Sequence, residues 1–187
     1  LKNGLKPIFY RALTDNDKGA KQNFAPWMNA SLFQECTNFK MIHNSMCAQL
    51  IYTIHLESIQ EPCKLVYTVY NNENIQIHMH MDKSSKRQPM PLFGFEMALK
   101  EEFKNFAYFG KGPKDTYIDR NHALTDFYME NVDTNYISYL KPQEHGNHVE
   151  CKWCAIHNDK ITLHVKSENM ECSASKYSFM HLMSANH

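Results

Sequence analysis

Apolar and polar residues alternate along several segments of the chain, and this period of two predicts β-strands. The clearest alternation runs from Ala48 to Leu56, where only Ile51 interrupts it. Polar turns at Asn71–Asn74 and His157–Asp159 each separate two such segments, which predicts two hairpins. The segments with this pattern are 48–56, 65–69, 75–81, 93–99, 149–155 and 161–165.

Four other segments lack the alternation. Residues 27–39 place Trp27 and Ala30 at helical spacing, which predicts one short helix. Residues 122–130 and 177–183 are compatible with a helix or a strand, and residues 1–10 predict an irregular segment or an edge strand. We therefore predict a mainly β protein with one domain over residues 1–187. Its architecture is either two packed antiparallel sheets or one large sheet curved over itself.

The stretch from Phe109 to Arg120 combines chain-breaking and polar residues. A strand is expected to end at Phe106–Tyr108, because Gly110, Gly112 and Pro113 then interrupt strand pairing. The residues that follow include acids, a phenol and a guanidinium, which suit sugar hydroxyls. They equally suit internal packing with an Asp–Arg pair, and local chemistry favours packing. The side chains concerned are Asp115, Tyr117, Asp119 and Arg120.

Two further polar segments stand out. The residues from Thr14 to Asp17 can cap turns through their own side chains, and the aperiodic run from Gly19 to Pro26 predicts a mobile loop. Asp15 and Asp17 could instead form a catalytic carboxylate pair or a cation site. A retaining glycosidase needs such a pair about 5 Å apart with one acid protonated, and no apolar pocket nearby would raise either pKa. Turn capping is therefore the favoured interpretation.

The other segment, Pro142–His148, predicts a turn fixed by Pro142, with an exit that Gly146 permits. This turn leaves Gln143, Glu144 and Asn147 projecting.

Composition narrows the classes of function. Lys plus Arg equals Asp plus Glu at 20 each, so charge gives no reason to expect binding to nucleic acid or to an anionic membrane. No apolar run is long enough to span a bilayer, and no signal peptide opens the chain. Since the sequence starts at Leu1, we expect it to be part of a longer protein. Its compartment is not encoded, and the cytoplasm and the periplasm both remain open.

Cysteines and histidines are candidates for metal or redox chemistry. Cys151 and Cys154 form a lone CxxC, without the second pair that a zinc ribbon needs or the helix start of a redox site. Strand alternation places Cys151 with Trp153 and turns Cys154 to the other face, which favours structural cysteines. His78 and His80 share a strand face that we expect to be wet or half-buried, so no metal ligand is assigned.

Three motifs carry a resemblance to a known family. The run Arg11-Ala-Leu-Thr-Asp-Asn-Asp-Lys-Gly19, followed by Trp27, is similar to the opening motif of the small-chain domain of bacterial β-galactosidases in glycoside hydrolase family 2. The stretch from Phe109 to Arg120 resembles its second motif, and Pro142–Asn147 with Trp153 resembles its third. All three occur in the family's order. The sequence departs from the family at His145, where Asn is common, and at Asp115, where Glu is frequent.

The resemblance implies a galactose-mutarotase-like supersandwich, truncated here at both ends. Missing strands would leave unpaired edges, so we expect an edge-paired homodimer or a reduced sheet. The family's catalytic glutamates lie in a separate barrel domain or large subunit, so no catalytic residue is assigned here. We expect this chain alone to be inactive. The family's magnesium and sodium ions lie mostly outside this domain, and none is assigned to it.

The implied function is to help a catalytic barrel hydrolyse terminal β-galactosides by closing its active site. The alternative is a stand-alone carbohydrate-binding β-sandwich. The resemblance assigns a pocket or lid role to Asp15, Asn16, Asp17 and Gly19, with the lid running to about Ala25. Expected contacts to sugar or to the barrel come from Arg11, Asp115, Tyr117, Asp119, Arg120, Gln143 and Glu144.

Overall fold

The structure is a computed structural model that describes residues 2–82 and 89–184. Within these ranges the protein is mainly β, with antiparallel pairing in both four-stranded sheets, which confirms the predicted fold class and is consistent with a β-sandwich. Across the described ranges, every helix is too short or too polar to cross a bilayer. The strands are β1 Asn3–Ile8, β2 Glu35–His43, β3 Cys47–Leu56, β4 Glu61–Tyr70, β5 Ile75–His80, β6 Gly94–Ala98, β7 Asn105–Gly112, β8 Leu124–Asn131, β9 His148–His157 and β10 Thr162–Cys172. The helices are α1 Asp15–Gly19, α2 Ala25–Leu32 and α3 Phe179–Ser184, with one 3₁₀ turn at Glu57–Ile59.

The chain divides into two compact units. The first unit comprises Leu1–Gly4, Ala12–Lys21 and Ala98–His187, and the second comprises Leu5–Arg11 and Gln22–Met97. The single-domain prediction is not tested by this division, because separate units can belong to one larger domain.

The second unit is built on a four-stranded antiparallel meander in the order β2-β3-β4-β5. Its buried side chains include Ile54 and Leu65 of the sheet and Trp27 and Ala30 of α2. Trp27 is 2% exposed and lies beside Phe9, with ring centroids 6.3 Å apart. Leu56 and Cys63 are fully buried. The predicted strands at 48–56, 65–69 and 75–81 and the hairpin at Asn71–Asn74 are all present.

The first unit contains the sheet ordered β10-β9-β7-β8, together with α1 and α3. Its buried cluster is formed by Phe106, Tyr108 and Cys151. Tyr108 also stacks on His148 with a centroid distance of 3.9 Å. The hairpin predicted around His157–Asp159 joins β9 to β10. The two ambiguous segments resolve as strand β8 and helix α3.

The helix predicted over residues 27–39 was too long. Helix α2 ends at Leu32, and β2 begins at Glu35. Every residue of β2 is exposed. The strand therefore has no buried face that would require apolar residues at every second position of the sequence. Pairing with β3 supplies its backbone hydrogen bonds, and this tertiary contact overrides the local helical spacing.

The predicted break at Gly110 and Gly112 was also wrong. Strand β7 continues to Gly112, and these glycines pair with Asp126 and Leu124 of β8. Their role is close packing, because a Cβ on Gly110 would collide with Cys151 and one on Gly112 would meet the Tyr108 hydroxyl. Pairing of β7 with β9, in contrast, ends at Phe109–Trp153.

The prediction that Cys151 and Cys154 point to opposite faces was wrong. Trp153 lies opposite Phe109 and Cys154 lies opposite Tyr108, as alternation requires. Cys151, however, belongs to the cluster against which Cys154 also packs. Strand β9 leaves its regular pairing here, and Glu150 adopts a left-handed backbone with φ 56°. This irregularity brings both sulfurs to one side of the sheet.

The histidines of β5 lie where the alternation placed them. His78 and His80 are exposed, and Ile77 and Met79 are half-buried. His80 Nε2 lies 3.1 Å from the Asp82 carboxylate. No group of three potential metal ligands occurs in the described part of the chain.

Candidate functional site

The first motif forms a capped helical turn in the first unit. The Thr14 amide donates to Asp17 Oδ2 at 2.9 Å, and the Asp17 amide donates to Thr14 Oγ1 at 3.3 Å. This reciprocal capping box satisfies amides that the five-residue helix α1 cannot pair internally. The Asp17 carboxylate therefore holds the turn, in agreement with the capping interpretation, while Asp15 is exposed.

Helix α1 is connected to both other motifs by exposed hydrogen bonds. The Asp15 amide donates to Gln143 Oε1 at 3.0 Å. The Asn16 amide group donates to Asp119 Oδ2 at 2.9 Å, and Lys18 Nζ donates to the Pro142 carbonyl at 3.2 Å. Three segments that are far apart in sequence thus form one surface, which we call the motif cluster: residues 14–19, 115–120 and 142–147.

The second motif is held by a buried carboxylate. Asp115 accepts from Arg120 Nη2 at 2.7 Å through Oδ1 and from the Tyr139 hydroxyl at 2.9 Å through Oδ2. The Arg120 guanidinium also donates to Tyr139 at 3.2 Å and lies 5.5 Å from the centre of the Tyr117 ring. Both Asp115 oxygens are occupied, so this acid orders the loop, as the internal-pair interpretation proposed. The hydrogen bond with Tyr139, aided by the Asp115 charge, raises the pKa of Arg120.

The third motif is joined to the second through its backbone. The Thr116 amide donates to the Asn147 carbonyl at 2.6 Å, and Asn147 Nδ2 returns a bond to the Thr116 carbonyl at 3.0 Å. Gly146 has φ 73°, a left-handed conformation that glycine adopts without steric cost. This agrees with the predicted exit from the turn. Gln143 and Glu144 are half-buried rather than fully projecting.

His145 lies buried within the third motif. Its ring meets Tyr136 edge-on with centroids 5.0 Å apart. Burial lowers the pKa of His145, because the charged imidazolium loses hydration, and the Asp115 charge opposes this shift. The folded protein therefore favours the neutral ring.

The lowered pKa of His145 gives an expected pH dependence. Below the ordinary histidine value of about 6.5, the unfolded chain takes up a proton at this site before the folded protein does, so stability is lost as pH falls toward the folded pKa. One such group contributes a slope of at most about 1.4 kcal/mol per pH unit. We expect His145→Asn to flatten the fall in the free energy of unfolding between pH 7 and pH 5, measured by urea titration.

The control is His122→Asn, which makes the same substitution at an exposed histidine, so that an effect confined to the His145 variant can be assigned to the buried ring. Equal slopes for the His145 and His122 variants would show that burial does not perturb His145.

Most of the site residues that the sequence suggested converge in the motif cluster. The exception is Arg11, which is half-buried and belongs to the second unit. Sequence reasoning missed Tyr139 and Lys18, which tie the segments together. Nothing in the local pattern marked Tyr139, because its partner Asp115 lies 24 residues away. Asp15 and Asp119 present exposed carboxylates of the kind that accept hydrogen bonds from hydroxyls.

Comparison with known proteins identifies the family. A model of the family described as "Beta galactosidase small chain" matches residues 1–187. The chain belongs to the β-galactosidase small-chain family. This finding confirms the resemblance that the three motifs carried.

Several relatives of this chain are named β-galactosidases. A β-galactosidase of Priestia megaterium is 29% identical over 163 residues, which cover 86% of this chain and 16% of the relative. The β-galactosidase BgaC of Bifidobacterium adolescentis is 31% identical over 156 residues, covering 80% of this chain and 15% of the relative. A β-galactosidase of Halalkalibacterium halodurans is 27% identical over 191 residues, which cover 97% of this chain and 19% of the relative. The chain therefore spans only 15 to 19% of the length of these relatives.

Proposed function

We propose that this chain is a non-catalytic part of a β-galactosidase that hydrolyses terminal β-galactosides. In this proposal it associates with a catalytic barrel domain or large subunit, and its motif cluster faces the galactoside pocket. The observation that carries the proposal is the convergence of the three family motifs on one surface of the first unit. Of its acids, Asp17 and Asp115 are engaged in holding the backbone and the loop. The cluster is therefore suited to positioning groups and excluding water, and bond breaking belongs to the partner.

Helix α1 and the exposed residues 20–23 are proposed to act as a lid, which is shorter than the run to Ala25 because Phe24 is buried and α2 begins at Ala25. The helix has no buried residue, and exposed hydrogen bonds link it to Gln143, Asp119 and Pro142 of the first unit. Each exposed hydrogen bond of this kind contributes little to stability, so replacing it by a contact with substrate or partner costs little free energy. Asn16 and Asp15 would then present amide and carboxylate groups toward sugar hydroxyls. Closure would exclude water from the pocket.

Gly19 offers a direct test of the lid. A Cβ at Gly19 meets nothing within 4 Å in this chain, so Gly19→Val should change its free energy of unfolding by less than about 1 kcal/mol. In the complete enzyme the same side chain would occupy space that the pocket needs. We expect kcat/KM for a chromogenic β-galactoside to fall about tenfold, with subunit assembly unchanged by gel filtration.

The matched control is Gly4→Val, which places the same side chain in open space on an exposed strand position. It should leave kcat/KM unchanged. An unaltered kcat/KM in the Gly19 variant would contradict the lid. Hydrolysis by the purified chain alone would contradict the non-catalytic assignment, and saturable binding of galactose to it in a calorimeter would favour a stand-alone binding module.

A further inference from the structure

Three cysteines of the first unit converge between β9 and β10. Cys172 donates a hydrogen bond to Cys151, with the two sulfurs 3.4 Å apart. Cys154 interacts with the same Cys172 thiol, so Cys172 is the shared member of the group. All three thiols are free in the structure. We call Cys151, Cys154 and Cys172 the thiol cluster.

The geometry of this cluster is close to that of a disulfide. A disulfide bond requires sulfurs about 2.05 Å apart, so Cys151 and Cys172 need to approach by about 1.4 Å. Cys172 is the last residue of β10, which lies at the edge of its sheet and is bulged between Lys166 and Cys172. An edge strand with irregular pairing can make this small adjustment more readily than a central strand.

Cys151 differs from the other two thiols in accessibility, and Cys154 differs from Cys172 in acidity. Cys151 is fully buried, while Cys154 and Cys172 are half-buried. A hydrogen bond from Cys172 lowers the pKa of Cys154, because it stabilises the thiolate. Hydrogen bonding to Cys151 and Cys154 raises the pKa of Cys172. Because Cys151 is enclosed and the Cys172 thiol is hydrogen-bonded to Cys151, the half-buried Cys154 is the thiol best placed to react with a small molecule from solvent, and the direction of its pKa shift agrees.

We propose that the thiol cluster is a reversible redox site in which Cys154 reacts with a small disulfide, such as oxidised glutathione, and a Cys151–Cys172 disulfide results. The Cys154 thiolate attacks one glutathione sulfur, forms a mixed disulfide and releases one glutathione thiolate. Cys172 then loses its proton and attacks the Cys154 sulfur, which releases the second glutathione thiolate. Cys151 finally loses its proton and attacks Cys172, which restores the Cys154 thiolate.

These steps balance overall. Two protein thiols are oxidised to one disulfide, and one glutathione disulfide is reduced to two molecules of glutathione. The product bond joins the buried Cys151 to the half-buried Cys172. An excess of reduced thiol reverses the sequence.

Peptide mapping tests this proposal, because trypsin separates the three cysteines. Cleavage after lysine and arginine yields peptides 121–152, 153–160 and 167–176, which carry Cys151, Cys154 and Cys172 respectively. The protein is incubated with oxidised glutathione, its free thiols are blocked with N-ethylmaleimide, and it is digested without reduction. We expect peptide 121–152 joined to 167–176, with the link removed by dithiothreitol.

The exposed Cys36 reports in the same digest that the oxidant has acted, because it should carry glutathione. Glutathione on Cys36 together with fully blocked, unlinked thiols in the cluster would overturn the proposal. A link between 153–160 and 167–176 alone would overturn the assigned pairing.

Two variants separate the roles within the cluster. Cys154→Ser should form the same link at a rate about tenfold lower, since the attacking thiolate is lost. Cys47→Ser, which removes a half-buried thiol of the second unit, should leave that rate unchanged. An equal rate in the Cys154 variant would overturn its role as the attacking thiol. The mapping of the parent protein decides the pairing even if a variant folds poorly.

Discussion

Replacing Gly110 with alanine is expected to lower the free energy of unfolding by about 2–3 kcal/mol. The added methyl group would collide with the Cys151 sulfur and lie 3.1 Å from the Cys151 Cα. The sulfur could rotate away, but the Cα belongs to the backbone of β9. Relief therefore requires β7 and β9 to separate where Phe106, Tyr108 and Cys151 form the core of the first unit. Urea denaturation followed by circular dichroism measures the loss.

The control is a strand glycine at which an added Cβ would have no close neighbour. Gly94 lies in β6, and a Cβ there meets nothing within 4 Å. Gly94→Ala should therefore be neutral or slightly stabilising, because alanine restricts the unfolded chain. If Gly110→Ala and Gly94→Ala had the same small effect, the close approach of β9 to Gly110 would not be a feature of the folded protein.

The second large effect is expected at Asp115. Asp115→Ala should cost about 2 kcal/mol, since it leaves the Arg120 guanidinium and the Tyr139 hydroxyl without their shared acceptor. The full cost of breaking a buried pair does not apply, because the Arg120 side chain is 55% exposed and can be rehydrated. The free energy of unfolding in urea measures this change.

Asp119 belongs to the same motif but is exposed, and one hydrogen bond links it to Asn16. Asp119→Ala should alter stability by less than about 0.5 kcal/mol. The difference between the two variants would then show that Asp115 stabilises the fold while Asp119 contributes only to the surface. Equal costs at the two positions would argue that Asp115 is solvated in the folded protein.

Regular strands with one buried face could be predicted from the sequence. From Cys63 to Tyr67 of β4 the apolar side chains recur at every second position and lie on the less exposed face, so the hydrophobic pattern and the pleat agree there. At the end of β4 they disagree, because Thr68 is buried and Val69 is 38% exposed. The turn at Asn71–Asn74 and the cap at Thr14 were also visible, because those residue types satisfy backbone groups locally. The sequence did not identify β2 as a strand and left β8 open between helix and strand. Every residue of β2 and most residues of β8 are exposed, so neither strand has a buried face that would require alternating apolar residues.

The candidate site was predictable in its residues but less so in its contacts. Family motifs marked Asp15, Asn16, Asp119 and Gln143, yet the Asp15–Gln143 bond joins positions 128 residues apart. Such a bond depends on where the sheet places two loops, and no local period encodes it. The convergence of Cys151 with Cys154 was missed for a related reason, because alternation holds only while a strand stays regular.

The distribution of aromatic residues gives each unit its own spectroscopic reporter. The chain has two tryptophans, and Trp27 lies in the second unit while Trp153 lies in the first. Trp27 is almost fully enclosed and Trp153 is partly solvated, so their emission maxima should differ. Fluorescence recorded at two wavelengths during denaturation can therefore reveal whether the two units unfold together or one after the other.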